Sequence, residues 1–317
     1  MVNTCTEELS LPSSVSLAVL YGISALPAVL GNAAFLLMLY KSLPFRTISN
    51  LLLSSLAVAD FLVGLVMDPV WVARSLVTPR SSDHPLEIAI GCLWIQTSVT
   101  TTFGLCVVSL DRYIAVRSAL QYHEIMTYNR CYAAVAFVWI ASIAFGLSPV
   151  LITNPANLPR LWMSVTVITF LLPMTSILFC YYRIFVLARR QSRKISTQHS
   201  HLRRARFAEG VRNRKTAKNV GFVVALFFLS WFPSLVVSFV DLKMSDHCRK
   251  NNMELAWLWV ELVAFTSSGI NPWLYSLRNN GFRREMKRVL GIRRETRQIV
   301  CRKVNTLEIT EGTWSEK

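Results

Sequence analysis

The chain has 317 residues and a mass of 35.9 kDa, with 53% apolar residues, 16% charged residues and a mean hydropathy of +0.40. That composition excludes an ordinary water-soluble domain, in which charge is denser and polar faces interrupt the apolar runs. A formal net charge of +16 would point to nucleic acid in a soluble protein, but here the placement of the 34 basic residues excludes that reading as well.

Seven apolar stretches follow one another at 16–39, 51–73, 88–110, 131–152, 161–182, 219–240 and 255–277. Each is long enough, at about 1.5 Å of helical rise per residue, to cross a hydrocarbon core of roughly 30 Å. Within them the acidic, basic and imidazole side chains reduce to Asp60, Asp68 and Glu261. The predicted fold class is therefore an all-α membrane protein, a seven-transmembrane helix bundle. Residues 1–15 form a short outer terminus, 16–277 the bundle, and 292–317 a tail. Between bundle and tail, 278–291 places Phe282, Met286, Val289 and Leu290 at helical spacing among basic residues. That pattern predicts a short amphipathic eighth helix on the membrane surface.

Alternate connections hold 6 and 28 of the Lys and Arg residues, with 12 in 183–218 and 11 after residue 277. The positive-inside rule then puts the N-terminus outside and the C-terminus in the cytoplasm. No basic region, short apolar core and cleavage site precede the first stretch, so that stretch is expected to serve as the targeting signal. The basic loop 183–218 is expected to set topology and touch anionic membrane lipid, to dock a partner, or both. Basic residues that flank membrane spans at one face are not a nucleic-acid surface.

A carboxylate at membrane depth is costly and needs either a partner or a function. In chain order the spans carry Gly31-Asn32, Asp60, Asp111-Arg112-Tyr113 at the inner end of the third, Trp139, Pro173, Trp231-Phe232-Pro233, and Asn271-Pro272 followed by Tyr275. Trp94, Ser98, Thr101, Leu105, Val108 and Arg112 recur on one helix face, and so do Glu261, Phe265, Ser268, Asn271 and Tyr275. Each stripe connects an outer polar position to an inner one. Prolines within the spans remove backbone hydrogen bonds and supply bends at which a helix can swing.

In these residues the chain resembles rhodopsin-like (class A) G-protein-coupled receptors over about residues 16–290. The resemblance implies a plasma-membrane receptor and not an enzyme. It would bind an extracellular ligand and activate a heterotrimeric G protein, with arrestin as a further partner. It also implies that Asp111 holds Arg112 at rest, beside Tyr113, and that Tyr181 and Tyr275 swing toward that arginine. Trp231 would be the toggle beneath the ligand, Pro173 and Phe227 the connector, and Pro233 and Pro272 the bends of the last two spans. Asp60 with Thr101, Ser268 and Asn271 would then form a sodium pocket, or a polar cluster holding water alone; Ser267 stands where many relatives carry Asn.

The chain also departs from the family pattern. The outer connection 153–160 lacks the usual cysteine, which leaves Cys5 and Cys248 as the pair predicted to meet the oxidising exterior. Relatives often lock the arginine with an acid where Asn213 stands, so ligand-independent signalling is expected. The short outer loop and Ala119–Thr127 resemble melanocortin receptors locally. Trp94 replaces the aspartate of amine receptors, which disfavours an ordinary amine receptor, and Phe265 replaces the lysine of opsins, which excludes retinal binding in the usual manner. The outer acids Asp68, Glu87 and Glu261 favour a cationic or peptide ligand, with Trp94, Ser98, Trp231, Leu235 and Ser238 as the remaining wall. The acids could equally pair internally with Arg74. Amine, adenosine and lysophospholipid ligands stay open, as does a membrane transporter or channel.

Overall fold

The computed structural model describes residues 10–76, 85–151, 158–195, 201–241, 247–278 and 280–289. Eight helices can be followed along them: α1 (Leu11–Lys41), α2 (Ile48–Leu76), α3 (Pro85–Arg117), α4 (Tyr128–Gly146), α5 (from Leu158 to Ile195), α6 (His201–Asp241), α7 (His247–Arg278) and α8 (Asn280–Val289). The described residues contain no strand. Six helices, α1 to α6, contain segments long and apolar enough to cross a membrane, and α7 closes the bundle by packing between α1 and α6.

Helix α3 runs through the centre and touches α2, α4, α5 and α6. Its central position follows from its stripe, since Ser98, Thr101, Leu105, Val108 and Arg112 are all buried. The bundle is inside-out relative to a soluble protein. Asn32, Asp60, Asp68, Thr100 and Ser109 are buried, whereas Leu26, Leu30, Ile140 and Leu229 lie on the surface. In lipid, exposed aliphatic side chains cost nothing, while polar groups must find partners within the protein.

Prolines explain the two departures from α-helical winding. A π-turn at Val63–Met67 in α2 and another at Val167–Leu171 in α5 each end two residues before a proline, Pro69 and Pro173. A proline has no N–H to donate and its ring pushes on the carbonyl four residues back. The preceding turn widens instead, so that the Asp68 N–H reaches the Val63 carbonyl and the Leu172 N–H the Val167 carbonyl. The extra residue rotates everything beyond it, and Asp68 ends fully buried.

Small residues set the closest approaches. A Cβ on Gly31 of α1 would lie 3.0 Å from Pro272 Cγ of α7, and one on Gly269 of α7 would lie 3.1 Å from Pro27 Cγ of α1. The two helices thus exchange glycine–proline contacts, and Pro27, within the first span, belongs to this seam as much as the proline bends of the later spans. The α2 π-turn also rests on α1 through Gly64, where a Cβ would stand 2.7 Å from Ala28 Cβ and 3.0 Å from the Ala25 carbonyl oxygen.

At the inner end, Thr47 caps α2 and Thr127 caps α4 by accepting the Asn50 and Arg130 backbone N–H groups. Helix α8 is the expected amphipathic helix. Met286 and Val289 pack on the core, and the Ser42 hydroxyl donates to Glu285 Oε1 at 2.9 Å, which ties α8 to the first inner connection.

Candidate functional site

The predicted functional residues fall at three depths along α3. At the inner end, Arg112 is 5% and Asp111 1% exposed, so their ion pair is shielded from solvent. Arg112 Nε donates to Asp111 Oδ2 at 2.9 Å, and its Nη2 donates to the same oxygen. The carboxylate has two further donors. The Ser49 hydroxyl reaches Oδ2 at 3.1 Å and the Tyr122 hydroxyl reaches Oδ1 at 2.6 Å. Burial, and then the neighbouring Asp111 charge, push the Tyr122 hydroxyl up to about 12, so it stays a donor. Arg112 therefore lies inside a closed knot drawn from α2, α3 and the turn Tyr122–Ile125.

Tyr113 packs with Val116, Cys180 and Ile184, and its hydroxyl accepts from Arg117 Nη1 at 3.1 Å. Tyr181 of α5 packs against the same cluster, with its hydroxyl buried. The side chains of Tyr275 and Asn213 lie outside the described residues.

Midway, Trp231 and Phe227 of α6 join Phe170 of α5 in an aromatic cluster. Phe227 lies 5.5 Å from Trp231 and 6.1 Å from Phe170 between ring centroids. Trp231 also lies 6.0 Å from Trp94 of α3. Phe170, placed in the π-turn before the buried Pro173, was not among the residues singled out in sequence. Pro233 follows Trp231 by two residues, inside α6.

Beside the cluster, Asn271 Nδ2 donates to Asp60 Oδ2 at 2.7 Å, with the Ser268 hydroxyl close by. Asn32 Nδ2 donates to the Ala28 and Ser268 carbonyls. Asp60 Oδ1 and Asn32 Oδ1 are buried and have no hydrogen-bond partner among the described residues. A buried carboxylate oxygen without a donor, beside Ser268 and with the Thr101 side chain also buried, suits a small hard cation.

At the outer end the three acids separate. Glu87 pairs with Arg74 at 3.3 Å, the internal pairing weighed from sequence. Asp68 is fully buried, and its Oδ2 accepts from the Ser24 hydroxyl at 2.9 Å. Glu261 is partly exposed on α7. The Ser98 and Ser238 hydroxyls turn back onto their own helices, to the Trp94 and Ser234 carbonyls. Leu235 packs on the core. Cys5 and the Cys248 side chain lie outside the described residues, among which Cys92, Cys106, Cys131 and Cys180 are free thiols.

Residues 31–275 match the family model of the 7 transmembrane receptor (rhodopsin family). The chain is 30% identical to Trace amine-associated receptor 7e of Mus musculus, over 85% of this chain and 81% of that receptor. It is 28% identical to Trace amine-associated receptor 9 of Mus musculus over 86% and 85% of the two chains, and 28% identical to that of Rattus norvegicus over 88% of each.

Proposed function

The chain belongs to the rhodopsin family of seven-transmembrane receptors, and from that premise we propose that it is a plasma-membrane receptor for an extracellular amine, with its N-terminus outside. Ligand binding opens the Asp111–Arg112 pair so that Arg112 can engage a heterotrimeric G protein and release its nucleotide. The family makes the protein a multi-pass membrane receptor, neither an enzyme nor a transporter or channel. The observation that carries the mechanism is the closed knot around Arg112, at the opposite end of α3 from the acids and aromatic side chains.

An amine is favoured over a melanocortin-like peptide, adenosine or a lysophospholipid for two reasons. The similar receptors are named for trace amines, and the outer half of the bundle carries acids that complement a cation. Arrestin would use the same inner face, and the basic face of α8 would lie on anionic lipid. At Asp60, sodium would be held by the free carboxylate oxygen with the Thr101 and Ser268 hydroxyls, supplying a counter-charge in the buried layer. Cells expressing the receptor, challenged in turn with amines, melanocortin peptides, adenosine and lysophospholipids while cyclic AMP and the other G-protein outputs are followed, test the ligand class. Amines should be the active set, and a response confined to another set overturns it.

A further inference from the structure

If the ligand is an amine, the third helix does not hold its charge, because Trp94 stands there and lies against Trp231. The outer end of α2 already holds an organic cation in another place. The Arg74 guanidinium stacks 4.8 Å above the Trp71 ring and pairs with Glu87. The Arg74 side chain is 40% exposed, so its departure breaks only a solvent-screened ion pair and the stacking on Trp71.

The surroundings remain in deficit of positive charge. Glu261 makes no salt bridge among the described residues. Behind it, Asp68 keeps Oδ1 without a hydrogen-bond partner although it is 0% exposed. The Tyr21 hydroxyl donates to the Leu258 carbonyl at 2.6 Å and its ring packs in one cluster with Trp71, Leu258, Leu262 and Phe265, which brings the stretch of α7 that carries Glu261 against α1 and α2, where Asp68 is bonded to Ser24. Trp71 and Phe265, 6.2 Å apart, give that place an aromatic floor. Carboxylates beside aromatic faces form the usual receptacle for an ammonium.

We propose that Glu261 receives the ammonium of the ligand against Trp71 and Phe265, and that Arg74 holds this place until the ligand displaces it. The proposal rests on the amine reading above. Glu261 shares α7 with Asn271, whose amide is bonded to Asp60, so a pull on the outer end of α7 is delivered to the buried polar layer.

The test is nucleotide exchange on a G protein by the full-length receptor in lipid nanodiscs, titrated with phenethylamine and with the uncharged phenethyl alcohol. Glu261→Gln should raise the half-maximal phenethylamine concentration by about 30-fold or more, since it removes one partner of a desolvated charge pair. Glu261→Asp should recover a large part of that loss. Arg74→Gln should lower the half-maximal concentration several-fold by removing the internal competitor, and this arm stands even if Glu261→Gln does not fold. Phenethyl alcohol should be inactive. A phenethylamine response unchanged in Glu261→Gln, or weakened in Arg74→Gln, overturns the site and leaves the amine reading intact. If the wild-type receptor shows basal exchange but no response to primary, secondary or quaternary amines, the amine reading fails and the site with it.

Discussion

Replacing Asp111 with Asn removes the charge that holds Arg112 while keeping the shape of the side chain. Arg112 stays where it is buried, now without its counter-ion, and the Tyr122 and Ser49 hydroxyls face an amide in place of a carboxylate. Removing one partner of a buried pair outright costs about 3–5 kcal/mol. An amide that keeps some of the hydrogen bonds should cost less, about 2 kcal/mol, and this falls on the closed form alone. Two kcal/mol is about a 30-fold change in the closed-to-open ratio. A receptor that is about 1% open would become roughly one-quarter open without any ligand. Ligand-independent nucleotide exchange by equal amounts of purified receptor measures this directly. Basal exchange at or below that of the wild type, with the variant folded, would refute the assignment of the knot as the brake.

Tyr122→Phe removes one donor and leaves the Arg112 and Ser49 contacts, so it should raise basal exchange by less than Asp111→Asn does, about three- to tenfold. A hydroxyl held to about 12 keeps its stabilising proton at all pH values below its ordinary range and loses it only as pH rises through 12. The ratio of Tyr122→Phe to wild type should therefore be flat between about pH 6 and 9; a ratio that collapses in that window contradicts the assignment. Gly64→Ala forces a Cβ to 2.7 Å from Ala28 Cβ and should lower the melting temperature through an overpacking cost of about 1–3 kcal/mol. Gly22→Ala, which meets nothing within 4 Å, should leave the temperature unchanged or raise it slightly, and equal effects of the two would disprove the α1–α2 contact. Sodium should raise the melting temperature of the wild-type receptor, and Asp60→Asn should abolish the effect; a gain that survives the substitution removes the cation from that layer.

The bundle is legible in the sequence because seven apolar runs with three carboxylates admit few other folds. The helices nevertheless outrun the apolar runs, α1 reaching from Leu11 to Lys41 where the run spans 16–39. Hydropathy ends where lipid ends, while the backbone hydrogen-bond ladder continues into the polar zone. The Asp111–Arg112 pair is visible as neighbouring residues, but its other holders are not. Ser49 and Tyr122 stand 62 and 11 residues away from Asp111, and only the folded chain brings them together. Phe170 is hidden in the sequence for a related reason. The π-turn before Pro173 breaks the 3.6-residue period by which facing residues are counted. Asp68 reads as a pocket acid by charge alone, whereas the π-turn before Pro69 carries it into full burial against Ser24. Among the outer acids, charge pattern could nominate three, and only packing separates the internally paired Glu87 and the sunken Asp68 from the partly exposed Glu261.

The central claim is that an amine at the outer end drives Arg112 onto a G protein at the inner end. Amine-stimulated nucleotide exchange by purified wild-type receptor, compared with Arg112→Ala under the same conditions, tests it most directly. The account predicts stimulation in the wild type that is lost in Arg112→Ala although the variant still binds the amine. Stimulation that persists without Arg112, or its absence from a wild-type receptor that binds amine, would contradict it.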